Sequence, residues 1–533
     1  MGTTGQGLSV GLLDLLTGRW LSVPRLGEVS SMAAQHHGDR SAFEILPGSL
    51  RGEPKRTEIS YAEFDSLVEA LASDIASKLG AEGESAFPRI VVRGPNGVMF
   101  LASVLAASRA GAVAVPANPE LTPQELEHVV ADCGARVEIA PPEAAVLDGI
   151  DRVETRWSLL HDRSRKWPSP DLSEVAAIFY TSGTTGNPKG AMLTHRGLFS
   201  DISLAGAYPF RSDFMVEALP TAHIMGFLVL AGALLAGIRT FAMERFRPVR
   251  VLDALESFGA SMFVGVPAMY RMLLDAGAAY RDLKSVRVWM SAADVMPRDL
   301  AREFQRMGSA FTLGGRPVGE ALFVEAYGMV EYSGAATVKI SLPFWDPFSS
   351  SIGIPLPGTS IKIIDESGKE VRRGEVGEIA IRGGKVLHSY RNREDETGKA
   401  VQGGWLRTGD LAKRGLVTDH FAGRSKDVVT SGGYTVYAVE VEEALRSFAG
   451  VADAAVVGVA DHVLGERVAA AIEVEAGAKI DLDELRVWAD SRLAGYKRPV
   501  EYAFVEELPR GSTRKVKKDQ VRQLFEGESD DGS

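Results

Sequence analysis

The chain has one cysteine, Cys133, in 533 residues. That excludes an internal disulfide and any cysteine-rich zinc site, and it fits a reducing, cytoplasmic compartment. Cys133 lies in VVADCGARV with no nearby histidine to activate a thiolate, so it reads as a small buried residue beside a turn. Basic charge is also scarce: the formal net charge is −11 and the pI about 5.5. A nucleic-acid partner needs a basic surface, and anionic membrane attracts one, so neither partner is expected. No apolar run reaches the roughly 20 residues of a membrane span. The longest, IMGFLVLAGALLAGI from Ile224 to Ile238, reads as a buried helix. The start MGTTGQGLSV lacks the charged and apolar regions of a signal peptide, and Gln6 stands where a myristoylation motif on Gly2 wants Ser or Thr. No internal repeat or low-complexity tract is present.

What is present is the make-up of a globular enzyme-sized protein, 45% hydrophobic and 24% charged, long enough for two or more domains. From about Thr57, amphipathic helices such as EFDSLVEALASDIASKL alternate with short apolar strands such as RIVVRG, AVAVP, VAAIFY, ASMFVG and VRVWM. Continuous apolar strands between helices predict an α/β fold with parallel-type sheets covered on both faces. Ligands in such sheets sit past the carboxyl ends of the strands. From Ser351 the period shifts to two, in SIKIIDESGKEVRRGEVGEIAIRG, which predicts a small antiparallel β-rich part over about 351–422. A shorter α+β segment follows the turn at Gly423–Asp427. The expected division is a core over 1–424, a mobile α+β lid over 425–527 and a disordered acidic tail over 528–533.

The segment Tyr180–Gly190, YTSGTTGNPKG, follows an apolar strand and sets Ser182, Thr184 and Thr185 among glycines with Lys189 close behind. Amides in a tight turn form an anion-binding concavity, and hydroxyls and an ammonium suit phosphate oxygens. A Walker A loop is excluded, because Gly183 and Gly186 stand too close together and Lys189 is followed by Gly190. On residues alone, a phosphate cradle and an ordinary turn both stay open.

From RAGAVAVPANPELTPQELEHVV near Arg109 to Lys515, however, successive segments resemble in order the motifs of the acyl-adenylate-forming superfamily. This superfamily comprises acyl-CoA synthetases, nonribosomal peptide synthetase adenylation domains and luciferases. YTSGTTGNPKG resembles its signature loop, which makes Thr181, Ser182, Gly183, Thr184, Thr185, Gly186 and Lys189 the implied phosphate clamp. AYGMVE resembles the aromatic-Gly-x-Thr-Glu motif; the resemblance implies adenine stacking on Tyr327 beside Gly328, and magnesium (Mg²⁺) on Glu331. Val330 replaces the usual threonine and lacks its hydroxyl. GWLRTGDLAKRG supplies Asp410, implied to bind both ribose hydroxyls. GRSKDVV supplies Arg424 for ribose or phosphate and Lys426 as the hinge. SGGYTVYAVEVE resembles the lid loop whose Gly432 and Gly433 line the coenzyme A channel, with Ala438 in place of a proline. YKRPVEYAFVEELPRGSTRKVKK implies Lys515 as the adenylation lysine, with Arg514 where glycine is usual.

The resemblance implies a two-step reaction using ATP, magnesium and coenzyme A. A carboxylate attacks the α-phosphate to give acyl-AMP and pyrophosphate, and a thiol then takes the acyl group. No protein nucleophile is needed, because the substrate supplies one. His223 matches the family's histidine near the carboxylate, although a packed, hydrogen-bonded histidine is an equal alternative. The implied acyl pocket comprises His223, Met225, Phe227, Phe263, Val264 and Gly265, with Met269 beyond. Asp294 is placed near the nucleotide. No aspartate in LPTAHIMGF pairs with a substrate ammonium, which points to an apolar acid (aryl, fatty or polycyclic) rather than an α-amino acid. Coenzyme A is the expected acceptor. An acyl carrier protein as acceptor, and a catalytically impaired nucleotide-binding protein, are the alternatives. The oligomeric state, monomer or homodimer, stays open.

Overall fold

The computed structural model describes residues 23–46, 57–79, 88–158, 165–181, 188–200, 213–292, 294–342, 351–511 and 515–526. The described residues divide into two compact units. One comprises 23–342 with Gly353–Ser360 and Ile381–Leu406; the other comprises 351–352, Ile361–Ala380 and 407–526. The expected β-rich segment thus contributes to both, and the turn at Gly423–Asp427 lies inside the second.

The first unit holds two sheets. The larger runs in the order Ile354–Pro355, Gly334–Ser341, Leu322–Met329, Val288–Ala292, Met262–Gly265, Phe214–Glu217, Arg239–Ala242, Ser41–Glu44, Glu58–Ser60. From Leu322–Met329 to Ser41–Glu44 the neighbours are parallel. In the second sheet the order is Ser389–Tyr390, Lys189–Thr194, Val175–Thr181, Val113–Pro116, Arg89–Val92, Val137–Ala140, Asp151–Glu154. It is parallel beyond Val175–Thr181 and antiparallel before it.

Pleat alternation gives the larger sheet two different faces. Phe263, Tyr270, Trp289, Phe304 and Phe323 fill one, with edge-on ring pairs such as Tyr270–Phe304 at 4.9 Å. The other carries Met215, Leu219, Val264 and Met269, with half-buried Met225 and Met290 against them. The apolar helix Ile224–Ala236 covers this second face with Ala233 and Ala236, while Phe227 meets Phe179 of the other sheet, ring centres 5.8 Å apart. A helix covered on both sides is apolar all round, so the expectation of a buried helix holds. It begins at His223 and stops at Gly237, whose φ of 74° is left-handed. Cys133 closes the helix Pro123–Cys133 fully buried before left-handed Gly134, as expected.

In the second unit the antiparallel pair Val451–Asp461 and Gly465–Val474 carries Glu501–Val505 in parallel on one side. Helices Ala438–Arg446 and Leu482–Arg492 bury Val441, Leu445, Leu485 and Ala489 on one face, and Lys518–Glu526 buries Val521 and Phe525 on the other. Ala438 is the first residue of its helix and follows Tyr437, extended at φ −84° and ψ 112°. Proline suits that first position, and the residue before it is already compatible. Ala438→Pro is therefore expected to stabilise this unit by about 0.4–1 kcal/mol through the unfolded chain, read as a higher urea midpoint at unchanged slope. Among the described residues no helix is long and apolar enough to cross a membrane.

Candidate active site

Ser182, Gly183, Thr184, Thr185 and Gly186 lie outside the described residues. The ends of their segment are fixed: Thr181 and Lys189 are opposite each other in the antiparallel pair of Val175–Thr181 with Lys189–Thr194. The Lys189 ammonium pairs with Glu396 and lies 6.0 Å from the centre of the Tyr390 ring. The Tyr390 hydroxyl donates to Glu331 Oε1 at 3.0 Å. Burial and the Glu331 carboxylate raise the phenol's pKa, keeping Tyr390 a neutral donor. Backbone bonds hold this cluster together. Ser389–Tyr390 pairs with Ala191 and Met192, Arg391 N donates to Gly190 O at 2.8 Å, and Leu387 N donates to Glu331 O at 2.8 Å. Lys189 and Glu331, about 140 residues apart in the sequence numbering, are thus brought together by Tyr390. Tyr390 and Glu396 escaped the sequence reading; the only signal was a lone aromatic in the charged stretch YRNREDE.

The strand carrying Tyr327, Leu322–Met329, shifts register between Tyr327 and Gly328. A Cβ at Gly328 would stand 2.1 Å from Gly334 O, so close backbone approach demands glycine here. Val330 and Glu331 open the 3-10 turn Val330–Tyr332, with Val330 buried and Glu331 half-buried. Valine and threonine have nearly the same shape, so Val330→Thr adds a hydroxyl beside Glu331 at little steric cost. A hydrogen bond to a charged group contributes about 1.5–3 kcal/mol. Val330→Thr is expected to raise kcat/KM for acid activation about tenfold or more, measured by pyrophosphate exchange. Asp294 is exposed, its Oδ1 accepting from Val295 N at 2.8 Å.

His223 is the N-cap of the apolar helix, and its Nδ1 accepts from Met225 N at 3.3 Å. That assigns the proton to Nε2, leaving an N–H donor. The preceding loop is pinned: Gly97 N donates to Thr221 Oγ1 at 2.9 Å, and Thr221 N donates to Asn96 Oδ1 at 3.1 Å. A Cβ at Gly226 would meet Pro220 O at 2.3 Å, so the loop also needs glycine beneath it.

Of the residues expected to line one acyl pocket, Met225 and Val264 share the methionine-lined face. Phe263 does not. Its ring sits fully buried in the aromatic cluster on the opposite face, because adjacent strand residues point opposite ways. Gly265 faces that cluster too, its missing Cβ leaving room for Phe263 Cε1 at 2.9 Å. Phe227 turns to Phe179. Absent from the sequence reading is Glu217, fully buried on the methionine-lined face.

In the second unit, Asp410 and Arg424 are opposite each other in paired strands, with Arg424 Nε 3.3 Å from Asp410 Oδ1. Asp410 N donates to Thr408 Oγ1 at 3.1 Å, and Thr408 Oγ1 donates to Ile379 O at 2.8 Å. The two residues expected at the nucleotide are therefore neighbours. Lys426 is exposed in the 3-10 turn Ser425–Asp427. Gly432 and Gly433, at φ 57° and 81°, form the two-residue turn between Val428–Ser431 and Tyr434–Tyr437, a turn whose positive φ values select glycine. Lys515 is half-buried, and its carbonyl accepts from Gly511 N at 2.8 Å. Arg514 lies outside the described residues.

A parallel-rich sheet pair with a cation and a carboxylate at the exit of a glycine-rich segment is the frame of a nucleotide-dependent enzyme. The AMP-binding enzyme model matches residues 31–391, and the AMP-binding enzyme C-terminal domain model matches 440–517. The chain belongs to the AMP-binding enzyme family of adenylate-forming ligases. It is similar to a feruloyl-CoA synthase of Amycolatopsis sp, 34% identical over 489 residues and covering 88% of this chain and 94% of the relative. A long-chain-fatty-acid–CoA ligase of Bacillus subtilis is 28% identical over 554 residues, covering 92% and 95%. Among solved structures, ATP-bound MatB from Rhodopseudomonas palustris matches at a TM-score of 0.80 and 29% identity, covering 94% of this chain and 99% of that one.

Proposed function

We propose that this enzyme is an acid–thiol ligase. It activates a hydrophobic carboxylic acid (aryl, fatty or polycyclic) with ATP to acyl-AMP, then passes the acyl group to coenzyme A. The observation that carries this is the Lys189–Tyr390–Glu331 cluster at the exit of the Thr181–Gly186 segment. Relatives named for feruloyl and long-chain fatty acyl thioesters support the acid class and the acceptor.

In the first step a carboxylate oxygen bonds to the α-phosphorus and the bond to the β-phosphate oxygen breaks. Both partners are anions, so positioning and cations carry the catalysis. Lys515 bridges the carboxylate and α-phosphate, His223 Nε2–H orients the carboxylate, and Lys189 with the hydroxyls of Ser182, Thr184 and Thr185 holds the departing phosphates. Tyr327 stacks on adenine, and Asp410 and Arg424 hold the ribose. Among the described residues no group of three or more His, Cys, Asp or Glu could hold a metal ion. Mg²⁺ nonetheless suits one carboxylate plus substrate phosphates. Glu331, oriented by Tyr390, fits that need, and the bound ion would supply charge neutralisation for pyrophosphate. In the second step, for which the resemblance implies Lys426 as hinge, Gly432 and Gly433 admit the pantetheine arm, the thiolate bonds to the acyl carbon, AMP leaves, and the thiol proton passes to solvent.

The test is a panel of aryl, fatty and polycyclic acids, assayed for exchange of labelled pyrophosphate into ATP and, by mass spectrometry, for products with coenzyme A and with carrier protein. Apolar acids should support exchange and yield coenzyme A thioesters. Absence of exchange with every acid, even at high enzyme, would leave a nucleotide binder, and acyl transfer to carrier protein alone would replace the acceptor.

A further inference from the structure

We propose that Glu217 is the polar end of the acyl pocket, its Oε2 donating a hydrogen bond to an oxygen carried on the substrate's hydrocarbon away from the reacting carboxylate; this rests on the acid-activation reading above. The strand Phe214–Glu217 lies in the middle of the larger sheet, with Met215 opposite Met262 and Glu217 opposite Val264. Residues directly opposite in a sheet share a face, and so do alternate residues in a strand. Glu217 therefore projects to the side that holds Met215, Leu219, Val264 and Met269, against which Met225 also packs. Met225 is two residues beyond His223, and its N–H is the one His223 Nδ1 accepts. Glu217 thus lies on the same face as the side chains that follow the carboxylate-orienting histidine.

Its two oxygens differ. Oε1 accepts from Leu219 N at 2.7 Å, whereas Oε2 is buried with no hydrogen-bond partner among the described residues. Burial raises this carboxyl to about 8, so at neutral pH it holds its proton and Oε2 is a donor looking for an acceptor. Buried polar groups are nearly always partnered, and an exception calls for a cause. Methionines make an adaptable apolar wall but offer no acceptor of useful strength. An acid with a hydroxyl or carbonyl oxygen at matching depth supplies one. A plain hydrocarbon leaves the donor unmet, and sites built to bond a substrate oxygen reject analogues that lack it.

The experiment uses the full chain, acids of equal length either plain or bearing one hydroxyl at successive positions, and two variants. Glu217→Leu removes the donor at similar volume, and Glu217→Gln keeps one. Wild type should favour one hydroxylated isomer over the plain acid by about tenfold or more in kcat/KM, mostly through KM. Glu217→Gln should retain the preference, and Glu217→Leu should abolish or reverse it. An undiminished preference in Glu217→Leu, or no preference in wild type, overturns the assignment. Ligand-induced thermal shifts read the same comparison without turnover. If no acid supports pyrophosphate exchange, the activation reading fails, yet a hydroxyl-selective shift lost in Glu217→Leu still supports Glu217. Equal or absent shifts overturn it.

Discussion

Lys515→Ala is expected to lower acid-dependent pyrophosphate exchange about 10²–10³-fold while sparing thioester formation from supplied acyl-AMP. The first half-reaction brings a carboxylate onto a phosphate, and a cation placed between them stabilises the encounter and the crowded phosphorus of the transition state. The second half-reaction has a neutral acyl carbon as its target and no such repulsion. Truncating the side chain should leave its loop in place, because the loop's base is fixed by other groups. Gly511 N donates to Lys515 O at 2.8 Å, Lys517 N donates to Pro509 O at 2.8 Å, and Arg510 bridges Asp453 and Glu473 at 2.8 and 3.0 Å. Single-turnover assays of each half-reaction separate the outcomes. If both survive in the variant, the lysine has another role; if both collapse with a lowered melting temperature, the substitution has damaged the fold.

The fold was legible wherever a run was apolar without interruption. VAVP and MFVG are buried throughout and the helix Ile224–Ala236 is buried except for the half-buried stripe Met225, Leu228, Val229 and Gly232, and their lengths separate strand from helix. That same property hid the site. A strand buried on both faces shows no alternation in sequence, so nothing in FVG reveals that Phe263 and Val264 face opposite ways. Grouping them in one pocket was an error of parity. Tyr390 and Glu396 were illegible for a different reason: their partners, Glu331 and Lys189, are remote in the chain, and the backbone pairing of 387–391 with 190–192 and Glu331 unites them. Asp410 and Arg424 came through as motifs, but their direct opposition across a strand pair did not. In Gly432 and Gly433 a turn requirement coincides with the motif, so the glycines alone do not separate hairpin geometry from a ligand channel.

Glu217→Gln should stabilise the protein increasingly as pH rises, by about 3 kcal/mol at pH 7. The folded-state carboxyl is raised to about 8 against an ordinary 4.5, chiefly by burial. Above pH 4.5 the unfolded chain releases a proton that the folded chain retains, so the wild type loses about 1.4 kcal/mol per pH unit until pH passes 8. The glutamine variant has no such proton and should lack this slope. His195 acts in the opposite sense. It accepts from Leu26 N at 3.0 Å through Nδ1, and burial lowers it to about 4 from 6.5. Below pH 6.5 the unfolded chain takes up a proton that the folded chain refuses, so this contribution is lost as pH falls towards 4. Between 4.5 and 6.5 the two slopes oppose each other, and the decline attributable to Glu217 emerges above 6.5. Removing Glu217 should therefore expose the histidine slope below 6.5 as well as lift stability above it. Urea midpoints of both proteins at half-unit steps from pH 5 to 8 read this directly. Parallel profiles would mean that Glu217 is ionised in the folded state, and its Oε2 would then be an acceptor rather than the donor assigned to it. A carboxylic acid kept in the interior at this cost to stability fits a residue retained for what it binds.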